Sequence, residues 1–138
     1  MSAANLKSLP FVLGLLMCAS NGVGQHMNAK DGPCQGLGPA AAETQCFVAE
    51  SQSAEKELNS FLGEIQKVLN AANQNRLQVA QRSWVQYRQA NCEAERGLYD
   101  GGSAAPMVYY ACLAADTRHR ISELTTMYGW ILEKFTSH

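Results

Sequence analysis

Leu77-Gln78-Val79-Ala80-Gln81-Arg82-Ser83-Trp84-Val85-Gln86-Tyr87-Arg88-Gln89-Ala90-Asn91-Cys92, continued to Leu98, places Leu77, Ala80, Trp84, Tyr87, Asn91, Ala94 and Leu98 at alternating steps of three and four residues. That is the period of an amphipathic helix, and the spacing predicts one from about Arg76 to Tyr99. Asn91 stands in the middle of the stripe. Asp100-Gly101-Gly102-Ser103 ends the helix, because glycine lets the chain reverse and serine favours the start of a new helix.

On the C-terminal side, Ser103 as cap and Pro106 in the first turn open a third helix running to about Phe135. Its stripe is Tyr109, Leu113, Thr117, Arg120, Leu124, Tyr128, Ile131 and Phe135. On the N-terminal side, Phe47, Ala54, Leu58, Phe61, Leu62, Ile65, Leu69 and Ala72 carry the same period. They predict a first helix from about Glu43 to a break at Asn73-Gln74-Asn75, where asparagine side chains compete for backbone hydrogen bonds. No strand-like alternation of useful length and no internal repeat is present, so the fold is all-α, a small three-helix bundle.

Ahead of the helices, Gly32, Pro33, Gly36, Gly38 and Pro39 punctuate an irregular arm over 25–43, leaving 44–138 as the helical domain. Residues 1–24 have the order of a secretory signal peptide. Lys7 precedes an apolar run from Leu9 to Met17, followed by the small or polar residues Ala19, Ser20, Asn21, Gly22 and Gly24. The run is about half of the roughly 20 residues that a membrane span needs. Cleavage after Gly24 or after Ser20 both suit a signal peptidase. Lipidation at Cys18 is the alternative, and it is the one route by which the chain would be held at a membrane. The expected location is the periplasm or the exterior.

Loss of the leader removes one of five cysteines and leaves Cys34, Cys46, Cys92 and Cys112. In an oxidising compartment four cysteines read as two disulfides with three connectivities. The sequential pairs Cys34–Cys46 and Cys92–Cys112 are favoured because each closes a short loop. Zinc is disfavoured, since no two of these cysteines have the usual short gap and His26, His119 and His138 are scattered.

The 138 residues carry 11 Lys plus Arg against 12 Asp plus Glu, a formal net charge of −1. One domain fits that length, and the balance gives no electrostatic reason to bind nucleic acid. Nucleophile motifs, phosphate-cradling glycine loops, His-Glu metal signatures and haem attachment sequences are absent, so neither catalysis nor a cofactor is expected. Trp84, Tyr87 and Tyr109 read as core aromatics. Arg76, Arg82, Arg88 and Arg96 share no single face and read as solvated or locally paired. His119 reads as a surface residue. Thr117 and Arg120 fall inside the third helix's apolar arc, and a buried arginine must be paired. With Arg88 and Asn91 they make an expected structural polar network, with Arg120 meeting an acid of the first helix or Asp116.

Across residues 77–92 the chain resembles the "L..AQR.W..(F/Y)R...C" signature of the LprI-like lysozyme-inhibitor N-terminal domain family. Gly101-Gly102-Ser103, Cys112, Thr117, Arg120 and Leu124 continue it as "GGS…C…T..R…L". The match is strongest over 77–124. Leu62 stands where the family usually has tyrosine, and Gln89 and Asn91 stand at positions that are usually acidic. The resemblance implies a small helical envelope protein with disulfides and, for at least one lipoprotein member, inhibition of lysozyme.

An inhibitor needs no chemistry of its own. A lysozyme cleft presents two carboxyl groups, and a rigid protrusion that hydrogen-bonds them excludes sugar. Tyr99, Asp100, Gly101, Gly102 and Ser103 are the lysozyme-binding candidates, because a Cys92–Cys112 bridge would tie together the two helices that present them and lower the ordering cost of binding. The bland account of the same residues is a turn capped by Ser103. The expected partner is lysozyme or another cell-wall hydrolase; the alternative is a periplasmic structural or adaptor protein with an endogenous envelope partner.

Overall fold

A computed structural model of the chain describes residues 26–29 and 32–136. The expected leader, its cleavage sites, Cys18 and His138 lie outside the described residues. A single 3-10 turn at His26–Asn28 precedes α1 (Ala40–Val68), α2 (Ala71–Gly97) and α3 (Ala105–Thr136). At a rise of about 1.5 Å per residue the helices are each about 40 to 48 Å long. No strand occurs among the described residues.

Short connections force an up-down-up path, so α1 and α3 run parallel and α2 returns between their directions. Phe47 shares a cluster with Ala111 at one end, and Leu58, Leu62 and Ile65 share another with Leu124 farther along. Helix α3 is the central element, packed against both α1 and α2. The apolar spacing of α1 buries Phe47, Ala54, Leu58, Leu62 and Ile65 as its sequence predicts. Full burial of a Phe, Leu or Ile side chain contributes about 1.5 to 3 kcal/mol.

The first break falls earlier than the asparagine-rich stretch suggests. Leu69 and Asn70 take extended backbone, and Asn70 Oδ1 accepts from Asn73 N at 3.0 Å as the N-cap of α2. Asn73, Gln74 and Asn75 form the first turn of α2 instead of preceding it. The local competition expected of them is resolved within the helix end: Gln74 Nε2 donates to the carbonyls of Gln66 and Leu69 at 2.8 and 2.9 Å. It thereby satisfies acceptors that the end of α1 leaves open.

The stripe assigned to α2 is also corrected. Leu77, Arg88 and Cys92 are its buried residues, whereas Ala80, Tyr87, Ala94 and Leu98 are exposed. The inward face runs Leu77, Gln81, Trp84, Arg88 and Cys92, again at helical steps but with polar members. Apolar spacing alone selected the wrong arc because the buried positions include arginine and glutamine. Tyr87 is therefore no core aromatic, being 63% exposed. Trp84 and Tyr109 are half-buried. On α3 the expected stripe is inward from Leu113 to Leu124, and Phe135 is exposed.

Both disulfides have the sequential connectivity. Cys34–Cys46 joins the arm to α1 with Cα atoms 5.6 Å apart, and Cys92–Cys112 joins α2 to α3 at 5.5 Å. Cys34 is fully buried with Phe47 and Ala111. The arm is thus pinned to the core, and positive φ at Gly36 and Gly38 provides the turns that lead into Pro39 and α1.

Candidate functional site

The inward face of α2 meets α3 in a polar seam centred on Trp84. The Arg88 guanidinium lies over the Trp84 ring at 4.9 Å, and that of Arg120 lies 5.7 Å from it. Arg88 reaches Trp84 from one turn along the same helix, while Arg120 reaches it from α3. Arg88 Nη1 donates to Thr117 Oγ1 at 2.8 Å, and Thr117 in turn donates to the Leu113 carbonyl at 2.6 Å. Arg88 Nη2 points to Glu55 of α1 at 3.4 Å. Its Nε is buried with no hydrogen-bond partner among the described residues, a cost normally avoided. Stacking on Trp84 offsets part of it.

Arg120 uses a different set of partners. Nε donates to Gln81 Oε1 at 3.2 Å and Nη1 to Glu123 Oε2 at 3.1 Å. The expectation that Arg120 pairs with Asp116 or with an acid of the first helix is corrected: the acid of α1, Glu55, serves Arg88. Arg88 itself is buried and not solvated. Asn91 lies toward the disulfide, donating to Asp116 Oδ2 at 3.1 Å. Arg88 and Arg120 therefore converge on Trp84, Thr117 joins them through Arg88, and Asn91 bonds Asp116 of the same helix as Thr117 and Arg120. Gln81, Glu55 and Glu123 were not singled out from sequence. The signal that finds Gln81 is the Gln81, Trp84, Arg88, Cys92 spacing, which marks one helix face whatever its polarity.

Beyond the Cys92–Cys112 bridge lies the α2–α3 tip. Tyr99 is half-buried, and Asp100, Gly101, Gly102 and Ser103 are exposed. The backbone reverses through Gly102 N to Tyr99 O at 2.9 Å, with Gly101 at φ 81°, a conformation that favours glycine. Helix α3 starts at Ala105, with the Ala104 carbonyl accepting from Val108 N at 3.0 Å. Ala104, and not Ser103, thus holds the cap position, and Ser103 is exposed.

Charge at the tip is largely matched. Arg96 Nε donates to Glu93 at 2.7 Å and Nη1 to Asp100 at 3.3 Å. The hydrogen bond and negative charge of Glu93 raise the Arg96 pKa above its ordinary value, with a smaller contribution from Asp100. Close by, His26 of the arm meets Glu95 at 2.8 Å, and Tyr109 accepts from Gln89 at 2.8 Å. Arg118 pairs with Glu50 of α1, and His119 is an exposed residue of α3 near Glu123.

His26, Glu95 and Cys112, and also Cys92, Cys112 and Asp116, bring ligand-type atoms together. The sulfurs in both groups are consumed by the Cys92–Cys112 bond, which removes the thiolates that a metal would need. Among the described residues no helix is long and apolar enough to cross a membrane.

The sequence model described as "Lysozyme inhibitor LprI" matches residues 34–124. The chain belongs to the LprI lysozyme-inhibitor family. The matched span begins at Cys34 and ends at Leu124, so both disulfides, the Trp84 seam and the tip lie within the LprI unit. A protein of Rhizobium meliloti (strain 1021), described as uncharacterized, is 39% identical over 77 residues, covering 56% of this chain and 52% of its own length. The match thus spans about half of that relative. No solved structure matches the chain.

Proposed function

We propose that this LprI-family chain is exported, loses residues 1–24, and inhibits lysozyme by inserting the Tyr99–Ser103 tip into the enzyme's cleft. The observation that carries the reading is the placement of an exposed glycine turn about two helical turns beyond a disulfide, within the span matched by an inhibitor family. The bridge holds α2 and α3 together at the base of the tip, so little ordering remains to be done on binding. Gly101 and Gly102 allow the backbone to approach an enzyme wall closely, and the exposed Ser103 offers a hydroxyl donor to a catalytic carboxylate. Asp100 is not a bare negative charge facing those carboxylates, because Arg96 sits against it.

The test is cell-wall hydrolysis by c-type and g-type lysozymes with increasing amounts of the oxidised, folded protein. Inhibition at micromolar concentration is expected for at least one class, with loss of inhibition but unchanged thermal unfolding in Ser103→Trp. Full lysozyme activity in the presence of folded protein removes the reading.

A second reading, an envelope adaptor, draws on a different feature. A groove of about 490 Å³ opens between α1 and α2, floored by Leu62, Leu77 and Val85 and rimmed by Gln66, Gln78 and Arg82. In that case substitutions at Val85, and not at Ser103, would abolish partner binding.

A further inference from the structure

A second hollow, of about 450 Å³, opens on the α2–α3 side and is lined by Trp84, Tyr87, Asp116, His119, Arg120 and Glu123. Its size falls in the roughly 300 to 1,000 Å³ range of small-molecule sites. Nothing in the inhibitor reading uses it.

Its polar groups are held firmly and left incomplete. The Arg120 side chain is only 10% exposed, with Nε fixed by Gln81 and Nη1 by Glu123. Among the described residues nothing accepts from its Nη2. Asp116 engages Asn91 through Oδ2, and its Oδ1 has no partner among the described residues. Neither atom is sealed away, since the buried orphan among the described side chains is Arg88 Nε. Beside them Tyr87 is 63% exposed as a residue, while the Trp84 ring is engaged by Arg88 and Arg120.

This set discriminates among ligand classes. An anion would gain from Arg120 but face the carboxylates of Asp116 and Glu123. A cation would gain from those carboxylates but face a guanidinium that cannot lose its proton. A neutral polyhydroxyl ligand meets neither penalty, because each hydroxyl both donates and accepts. A sugar ring carries several hydroxyls, so one can accept from Arg120 Nη2 and another donate to Asp116 Oδ1. The apolar C–H face of a pyranose ring fits an exposed aromatic ring such as Tyr87.

We propose that this hollow is a binding site for a neutral pyranose saccharide, separate from the tip. Tyr87 is the stacking platform, Arg120 the donor, and Asp116 and Glu123 the acceptors. It would let the protein hold a glycan chain while the tip remains free.

The experiment is a two-dimensional amide and side-chain NMR titration of the full oxidised chain with the tetramer of N-acetylglucosamine and, in parallel, with maltotetraose, each to about 10 mM. The expected result is saturable shifts at the Trp84 indole, the Arg120 Nε and the amides of 116–123 with at least one sugar. A response to the first alone assigns an acetylated amino-sugar glycan, and a response to both assigns a general pyranose site. Tyr87→Ala should weaken binding about tenfold with its unfolding temperature unchanged, whereas Tyr87→Phe should stay within about twofold. Absence of saturation with both sugars overturns the proposal. So does sugar binding that Tyr87→Ala leaves intact, or tighter binding of acetate or methylammonium at the same atoms. The titration contains no lysozyme, so its failure leaves the inhibitor reading standing.

Discussion

Along one side of α3, the α1 residues Leu58, Leu62 and Ile65 pack with Leu124 in an apolar cluster that Leu77 of α2 joins, and the Arg118–Glu50 ion pair lies outside that cluster. Along its other side, α2 offers Gln81, Trp84, Arg88 and Cys92, and the contact is made by guanidinium stacking, side-chain hydrogen bonds and a covalent bridge. The first seam draws its stability from removal of surface from water, which is non-directional and tolerant of small shifts. The second draws it from directional partners, each of which costs more when left single than the pair contributes when complete. One helix therefore carries two kinds of specification: the α1 side supplies cohesion and the α2 side fixes register.

Substitutions separate the two seams most sharply at their buried centres. Ile65→Ala should destabilise by about 4 kcal/mol, since it empties a fully buried site in the apolar seam. Chemical denaturation measures this, and a loss below about 1.5 kcal/mol would mean that α1 is not the principal source of cohesion. Replacing Cys92 and Cys112 together by serine opens a loop with a sequence separation of 20. The expected loss is about 3 kcal/mol, or roughly 10 °C in unfolding temperature. Calorimetry under oxidising conditions checks it, and an unchanged midpoint would show that the polar seam holds α2 without the staple.

The partners of Arg88 provide a finer test. Thr117→Val keeps the shape but leaves Arg88 Nη1 without its acceptor, so a loss of about 1 to 3 kcal/mol is expected. Adding Arg88→Met should return part of that loss, because both halves of the pair are then apolar. A double-mutant cycle reads the coupling, and strict additivity would contradict a directional seam. Asn70→Ala should cost about 1 kcal/mol through loss of the α2 cap. Smallest of all, Tyr87→Ser lies on the exposed arc of α2 and should change stability by no more than about 0.5 kcal/mol. A larger effect would place Tyr87 in the seam after all.

The same contrast explains what could be read in advance. The α1 face was legible because its buried residues are apolar, so hydrophobic period and helical period coincide. On α2 they do not coincide. Ala80, Tyr87, Ala94 and Leu98 satisfy the apolar spacing yet lie outside, and Arg88 with Gln81 lies inside. Thr117 and Arg120 were legible as buried because the apolar residues around them on α3 define the arc. Their partners on other helices were not: the rotation of α2 about its own axis brings Gln81 to Arg120 and Arg88 to Thr117, while Glu123 is a local partner one turn along α3. The early α1–α2 break follows from similar competition: several nearby asparagines qualify as caps by residue type, and packing selects Asn70.

Sequence by itself determined that the chain makes three long helices, where glycine must turn the α2–α3 tip, and, through its even set of four cysteines beyond Cys18, that two cross-links form, with the sequential pairing favoured among three and fixed by the fold. Those features depend on local propensity and on residue spacing along the chain, which are properties of a segment and its neighbours. Tertiary structure decided which arc of α2 is buried, which acid meets which arginine, and that Tyr87, Asp116 and Arg120 line one hollow. Such choices depend on the relative rotation of packed helices, and a one-dimensional period does not record it when the buried side chains are polar.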